Sequence, residues 1–423
     1  MRFHVLFAEH ITRIIRVQHP YIRLFLAYAD SDMFGEGSSS DVRTALETSI
    51  CELMERQLAT RFDRDRLVFG RQSELIPKAV NARDFALMSA YERQLLRNDY
   101  VEFGEDLPIH WAPCVGIGED GSLSSRLMPA SLTYLRFSRQ FPSERFTATL
   151  SAGIAAGTSY CDALLHAFYE LVERDAFAIM WLNRLSAPKV DVGLLESAFL
   201  QDSMKRLLAD GFRLTFLDLT TEISIPVYLA IIQQSDGRMG TVDWMALGLG
   251  ANLNPMKAVQ RAYSEALEVL VNFCRFDDCG EIMPRRLTIE GADIDLEAYY
   301  RSCRFLTRSD ILVPLRDATR YDVNTSERTS ELEACLQFLQ KCGIQCYFSD
   351  LTPGELRNVS YRLVRAFGSH LQPHSYDWNC WRLDNPRLFS SPVSSGMRHC
   401  PSEERELNLL PNPYAIMDRL GFG

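Results

Sequence analysis

Ser151-Ala152-Gly153-Ile154-Ala155-Ala156-Gly157 is a run of small residues, and thirteen positions beyond Gly157 the chain reads Glu170-Leu171-Val172-Glu173-Arg174-Asp175. Small residues mark a turn or a close backbone approach. The stretch from about Cys161 to Trp181 has the periodicity of one long helix. At i and i+3 the two glutamates share a helix face, with apolar Leu171 and Val172 between them. Carboxylates bordering packed apolar surface need arginines or cations as partners.

The arrangement occurs twice more. Gly35-Glu36-Gly37-Ser38-Ser39-Ser40 precedes a helical run from Val42 to about Arg61, within which lies Ser49-Ile50-Cys51-Glu52-Leu53-Met54-Glu55-Arg56. A break at Gly248 to Gly250 precedes a helix from Met256 to about Phe273, carrying Arg261-Ala262-Tyr263-Ser264-Glu265-Ala266-Leu267-Glu268. From the last glycine of each break to the first glutamate the spacings are 15, 13 and 15 residues. One Glu-x-x-Glu-Arg is ordinarily a solvated face with a local ion pair. Three, at similar spacing after three breaks, indicate an internal repeat serving one site. Magnesium suits such pairs, because it accepts one or two carboxylates and takes its other ligands from water and phosphates. Arg56, Arg174 and Arg261 supply forked donors that match phosphate oxygens. The residues by themselves lead to a nucleotide–magnesium site and no further.

The rest of the chain sets limits. Its 423 residues are 47% hydrophobic and 24% charged, enough for a sizeable core. A net charge of −10 argues against a binder of nucleic-acid phosphates. Arg2, His4, Glu9, His10, Arg13 and Arg16 interrupt any signal-peptide core, and no stretch is apolar enough to span a membrane, so a cytoplasmic protein is expected. Eleven cysteines fit reduced thiols, and the pairs Cys274/Cys279 and Cys342/Cys346 lack the spacing of a zinc site. His110, His370 and His374 read as surface or core histidines, and Pro373 argues against a helical metal pair in the last two.

Strands are expected at Val5 to Ala27, Ile109 to Val115, Phe212 to Leu217, Val227 to Gln233, Met245 to Gly248 and Gln345 to Asp350. Helices are expected at Ala86 to Leu96 and Glu331 to Lys341. With no Pro- or Gly-rich linker, the fold class is α/β of the α+β kind: one large domain over 1–423 with mixed or antiparallel sheets and three site-lining helices. Strands occupy 1–30 and an irregular tail runs over 371–423.

These segments resemble the YcaO superfamily, and within it the azoline-forming cyclodehydratase branch, the D-protein of thiazole/oxazole-modified peptide biosynthesis. Ser49-x-x-Glu52-x-x-Glu55-Arg56 fits the family's first signature at every defined position. The second, usually SNGLAAG then ELxERD, is similar to Ser151 to Gly157 followed by Glu170 to Asp175, and the third to Arg261-x-x-x-Glu265-x-x-Glu268. Trp111, Pro129-Ala130 and Asn408 to Pro413 fall in weaker patches, so the likeness spans roughly residues 20 to 415.

The resemblance implies that ATP and Mg²⁺ are held among the three helices. ATP then phosphorylates backbone amides of a ribosomal precursor peptide while Cys, Ser or Thr side chains close thiazoline or oxazoline rings. It implies magnesium ligands at Glu52, Glu55, Asp162, Glu170, Glu173 and Glu268, and nucleotide or phosphate contacts at Ser49, Arg56, Thr158, Arg174, Arg261 and Glu265; no catalytic residue is assigned. An E1-like or leader-binding partner and a flavin dehydrogenase are the implied partners, because no separate leader-binding region is evident, and homodimer formation stays open.

The chain departs from the pattern in places. Gly35-Glu36-Gly37 stands where relatives often have Gly-Lys-Gly, and Thr158 and Asp162 replace the usual Asn and Glu. Pro411-Asn412-Pro413 lacks the third proline of a terminal PxPxP, and eight residues follow Ala415. Two further readings stand beside cyclodehydration: thioamide or macroamidine formation by the same amide activation, and a nucleotide-binding scaffold without catalysis.

Overall fold

The computed structural model describes residues 11–420, apart from 31–32, 40, 77, 87, 195–196, 235–243, 279–283, 285, 290–291, 318–326, 375–378 and 400–401. Met1 to His10, Cys279 and the terminal Gly421-Phe422-Gly423, on which some expectations fall, lie outside the described residues. The chain divides into two compact units whose segments alternate along the sequence: residues 1–17, 25–175 and 323–387 form the first, and 18–24, 176–322 and 388–423 the second. No linker marks the change-overs, which leaves the division invisible to composition.

Along the chain come strands β1 (Arg13–Gln18), β2 (Arg23–Asp30) and β3 (Met33–Ser39), then helix α1 (Val42–Leu58). Strands β4 (Val68–Gly70), β5 (Ile109–Ile117), β6 (Leu123–Pro129) and β7 (Ile154–Gly157) lead to helix α2 (Tyr160–Leu182). Strand β8 (Lys189–Val190) and helix α3 (Ala198–Ala209) precede β9 (Phe212–Asp218), β10 (Val227–Gln234) and β11 (Met245–Ala251). After helix α4 (Pro255–Asp278) come β12 (Arg286–Ile289), β13 (Ala292–Asp295) and β14 (Leu312–Val313). Helix α5 (Arg328–Lys341), strands β15 (Cys346–Asp350) and β16 (Arg362–Gly368), and helices α6 (Pro386–Ser394) and α7 (Pro413–Arg419) follow, with shorter helices between the named elements, Ala90–Leu95 among them.

In the first unit a six-stranded sheet has the order β4-β5-β15-β16-β7, with β6 paired to β5, and every pairing is antiparallel. Ile50, Leu53, Met54 and Leu58 of α1 pack against Ile154 of β7 and Leu363 of β16. Strands β1, β2 and β3 form a separate three-stranded sheet. In the second unit the order is β11-β10-β9-β8-β14, antiparallel except for β8 with β14. The expected mixture of antiparallel sheets and flanking helices is therefore what the chain forms.

The small-residue breaks are strands. Glycine is ordinarily depleted in strands, so Gly35 and Gly37 read as a turn; they sit instead in β3, pressed onto α1. A Cβ on Gly35 would lie 2.2 Å from the Ser49 carbonyl oxygen, and one on Gly37 2.2 Å from the Ser49 amide nitrogen. In the second unit Gly248 and Gly250 of β11 press onto α4, where added Cβ atoms would meet Ala266 N and Ala258 O at 2.1 Å. Bare strand backbone lets a helix approach to a distance that any side chain would forbid.

The tail is not irregular throughout. Pro386 and Pro413 open helices, the position where a missing N–H costs nothing. In the second unit Asn412 caps α7 through its Oδ1, which accepts from the Ala415 amide at 3.1 Å. Tyr414, Ala415, Ile416 and Met417 are buried. The Leu410 carbonyl accepts from Trp181 Nε1 at 3.1 Å and the Pro411 carbonyl from the Tyr299 hydroxyl at 2.8 Å. Among the described residues no helix is long and apolar enough to cross a membrane.

Candidate functional site

Helix α1 starts at Asp41, whose carboxylate accepts from the Thr44 amide at 2.7 Å. Three turns on, Glu52 Oε2 accepts from the Glu36 amide in β3 at 2.6 Å, and its other oxygen meets Arg56 Nη2 at 2.8 Å. Arg56 also donates to the Phe34 carbonyl at 2.9 Å. Glu55, one turn from Glu52, accepts from the Ala156 amide of β7 at 2.9 Å. On α2, Glu170 accepts from the Gly153 amide at 3.0 Å, while Arg174 lies 3.6 Å from Glu173 and 3.9 Å from Glu170. The first unit thus brings the first and second Glu-x-x-Glu pairs to one place, around strand β7.

Negative charge is concentrated at that place. Burial, joined by the negative charges of Glu52 and Glu170, pushes the Glu55 carboxyl up to about 8 despite the Ala156 hydrogen bond and nearby Arg56. Among the described residues no group of three or more His, Cys, Asp or Glu is arranged to hold a metal by itself. Magnesium does not need one: one or two of these carboxylates, with water and phosphate oxygens, complete its octahedron. Crowded carboxylates around a carboxyl forced toward its neutral form fit a divalent cation that arrives with its own ligands.

The other predicted residues make contacts of their own. Ser49 is fully buried, and its hydroxyl donates to the Leu46 carbonyl of its own helix at 2.9 Å. Its smallness suits the close contact with β3. Thr158 and Asp162 meet at the start of α2, where Asp162 accepts from the Thr158 amide at 3.2 Å and lies 3.4 Å from Arg328 Nε. Asp162 is eight residues, about 12 Å of helix, from Glu170. The third copy lies in the second unit: Glu265 accepts from the Leu249 amide of β11 at 2.6 Å, Arg261 is exposed and Glu268 half-buried.

A family model described as YcaO cyclodehydratase, ATP- and Mg²⁺-binding, matches residues 36–367. The chain belongs to the YcaO family. ATP and Mg²⁺, expected from the resemblance, are the ligands by which that family is described. The chain is 35% identical over 124 residues to an uncharacterized protein in the tfuA 3' region of Rhizobium leguminosarum bv. trifolii, a match covering 28% of this chain and 30% of that protein. Its fold is similar to that of a heterocyclase in complex with substrate and cofactor, at a TM-score of 0.78 and 21% identity over 97% of this chain and 57% of the other. It is also similar to YcaO from Methanopyrus kandleri bound with AMPPCP and Mg²⁺, at 0.64 and 18% over 88% and 89%. The chain therefore spans little more than half of that heterocyclase and less than a third of the Rhizobium protein in the matched region.

Within this YcaO chain, residues to which the sequence assigned no site role surround the predicted ones. Asp175, the last residue of the second signature, is wholly buried and pairs with Arg387 Nη2 at 2.6 Å, while accepting from the Gln372 amide at 2.7 Å. Arg365 and Arg382 are buried near Arg174. The only signal for Arg365 was a charge inside the apolar strand Leu363-Val364-Arg365-Ala366-Phe367. His374 is buried, as a core histidine should be, and loss of hydration together with Arg174 and Arg382 pushes its imidazole far down, so it is neutral.

Proposed function

We propose that this YcaO chain activates backbone amides of a ribosomally made peptide, with cyclodehydration of Cys, Ser or Thr to thiazoline or oxazoline as its outcome. The observation carrying this reading is the meeting of Glu52, Glu55 and Glu170 around β7, where Glu55 is held short of ionisation by burial and its acidic neighbours. Glu52, Glu55, Glu170 and Glu173 are the proposed magnesium ligands, and Arg56 and Arg174 the proposed phosphate contacts. Ser49 and Thr158 as nucleotide or phosphate contacts and Asp162 as a magnesium ligand are proposed on the resemblance alone; Ser49 also packs against β3, and Asp162 also pairs with Arg328. Arg261, Glu265 and Glu268 are proposed as nucleotide-side residues on the resemblance alone.

ATP supplies a phosphoryl group that turns an amide oxygen into a leaving group, and Mg²⁺ neutralises its charge. The chain's own part is positional. The amides of Glu36, Gly153 and Ala156 fix carboxylates on rigid helices, so little reorganisation is needed when the polyanion arrives. Glu55→Gln and Glu173→Gln are expected to lower magnesium-dependent ATP turnover by roughly 10²-fold or more while leaving the circular dichroism unchanged. Turnover at the parent rate in both variants removes the assignment. An E1-like or leader-binding partner is proposed to raise peptide processing through effective concentration, and a flavin dehydrogenase to act on the rings.

A second reading, in which sulfur replaces the activated amide oxygen, draws on the tail. A proline-rich end that enters an active site suits cyclodehydration, whereas here Leu410 and Pro411 are tied by hydrogen bonds and α7 is buried in the second unit. Mass spectrometry of the product separates the two: loss of one water per ring, or exchange of oxygen for sulfur with no water lost.

A further inference from the structure

Arg365, on β16, is 6% exposed, and its Nη2 donates to the Leu150 carbonyl at 2.6 Å. Its Nε and Nη1 are buried without a hydrogen-bond partner among the described residues. Arg382 is 5% exposed and held at φ 61°, in the left-handed region that non-glycine residues rarely adopt. Its guanidinium donates to the Thr147 hydroxyl at 3.2 Å and to the Ala148 carbonyl. Among the described residues neither guanidinium forms an ion pair; the Glu92 carboxylate meets Arg382 only at its backbone amide, at 2.6 Å. Two buried guanidinium groups with no ion-pair partner in contact are costly, even with Glu170 near enough to act on Arg365, and the backbone strain at Arg382 is of the kind that collects at functional sites.

Both arginines and Arg174 line one cavity of about 70 Å³ within the first unit, bordered by Ala152, Leu171 and Gln372. One water needs roughly 10–15 Å³ measured this way, so the space holds several waters or one tetrahedral oxyanion. Arg174 itself reaches back to Glu170 and Glu173, which places the cavity against the proposed metal-binding carboxylates. We propose that Arg365 and Arg382, together with Arg174, wall a buried subsite for a single phosphate group. Forked donors along one wall match phosphate oxygens, and a divalent or monovalent phosphate supplies the direct ion-pair partner that both guanidinium groups lack. Two sources share this chemistry: free inorganic phosphate and the phosphate end of a nucleotide.

The subsite rests on buried charge and goes beyond the nucleotide reading, so its test omits metal and nucleotide in the first arm. Inorganic phosphate is titrated into the full chain by calorimetry at constant ionic strength set with chloride. Saturable binding is expected, weakened tenfold or more by Arg365→Met and by Arg382→Met, and weakened less by the lysine variants, which keep the charge but lose the fork. The second arm titrates ATP with Mg²⁺: unchanged affinity in both methionine variants assigns the subsite to free phosphate, and a parallel tenfold loss assigns it to the nucleotide's own phosphate. Neither phosphate binding nor any change in ATP affinity overturns the proposal. Should the variants misfold, the parent protein decides it, because a ligand that binds only the folded state raises Tm with its concentration. A Tm identical in phosphate and chloride overturns the subsite. Failure of the metal site shows separately, in ATP turnover of Glu173→Gln.

Discussion

Glu52 accepts a 2.6 Å hydrogen bond from the amide of Glu36, the residue between Gly35 and Gly37. Glu265 does the same at 2.6 Å with Leu249, between Gly248 and Gly250. Each glutamate lies sixteen residues after its donor. The repeat seen in sequence is thus a strand-and-helix unit: two glycines let the helix settle on the strand, and the first glutamate then caps the amide between them. Sheet geometry puts alternate residues on one face, which is why the glycines are two apart.

This contact predicts the effect of adding one methyl group. A Cβ on Gly37 would lie 2.2 Å from Ser49 N and 2.3 Å from Ala45 O, and one on Gly250 2.1 Å from Ala258 O. Backbone cannot rotate away as a side chain can, so Gly37→Ala and Gly250→Ala are expected to cost about 3 kcal/mol or more. Gly343→Ala, at φ 76° with open space around it, is the contrast: strained in its own backbone but without a clash. Denaturant unfolding of the three variants ranks them, and a Gly37→Ala protein as stable as the parent contradicts the packing argument.

The helices were legible because their signal is redundant. Glutamate pairs, apolar periodicity and length all agreed over α1, α2 and α4, and their ends fall within a few residues of expectation. Strands β3 and β7 were not, because residues chosen for bareness carry no β-propensity. The carboxylate pairs were legible one helix at a time. Their partners, the Glu36, Gly153 and Ala156 amides, have no sequence signature, since any residue supplies an N–H. Arg382 was hidden for a different reason: its place depends on a left-handed backbone and on contacts to Thr147 and Ala148, more than two hundred residues away.

Asp175 yields a stability prediction independent of catalysis. Its buried carboxylate pairs with Arg387 and holds the Gln372 amide. Removing one member of a buried pair leaves the other uncompensated, at about 3–5 kcal/mol. Asp175→Asn is expected to lose that much in urea unfolding, whereas the exposed pair Arg43–Glu47 is expected to matter by less than about 1 kcal/mol when Glu47 becomes Gln. Equal losses would falsify the assignment of Asp175 to structure.

Glu55 makes stability depend on pH and on the metal together. Its carboxyl is raised from the ordinary 4.5 to about 8 by burial and then by Glu52 and Glu170. A proton is therefore bound more tightly folded than unfolded, so this contribution to stability is complete below pH 4.5 and disappears as pH climbs through 8. In EDTA, Tm is expected to carry a component that falls between pH 5 and 8 and that Glu55→Gln removes. Magnesium favours the ionised form, so its binding should release a proton and tighten as pH rises across the same window. Calorimetry in buffers of different ionisation enthalpy counts that proton, and none released at pH 6.5 contradicts the placement of Glu55 beside the metal.

The tail offers the last test, and its burial changes what truncation means. Ile416 is fully buried and Met417 nearly so, within a helix opened by Pro413 and capped by Asn412. Tyr414 meets the Phe177 ring edge-on, with centroids 5.1 Å apart. Deleting Ile416 onward removes packed side chains from the second unit, and Ile416→Ala alone is expected to cost about 2–5 kcal/mol. Loss of peptide modification in such a deletion would then report unfolding, not a missing terminal group. A sharper variant keeps the helix: Pro411→Ala leaves the carbonyl that Tyr299 donates to, and changes only the proline. If the proline itself guides the chain for ring closure, Pro411→Ala lowers cyclisation several-fold at an unchanged Tm and unchanged ATP binding. If the segment is structural, cyclisation and Tm both stay at parent values in Pro411→Ala and fall together in Ile416→Ala.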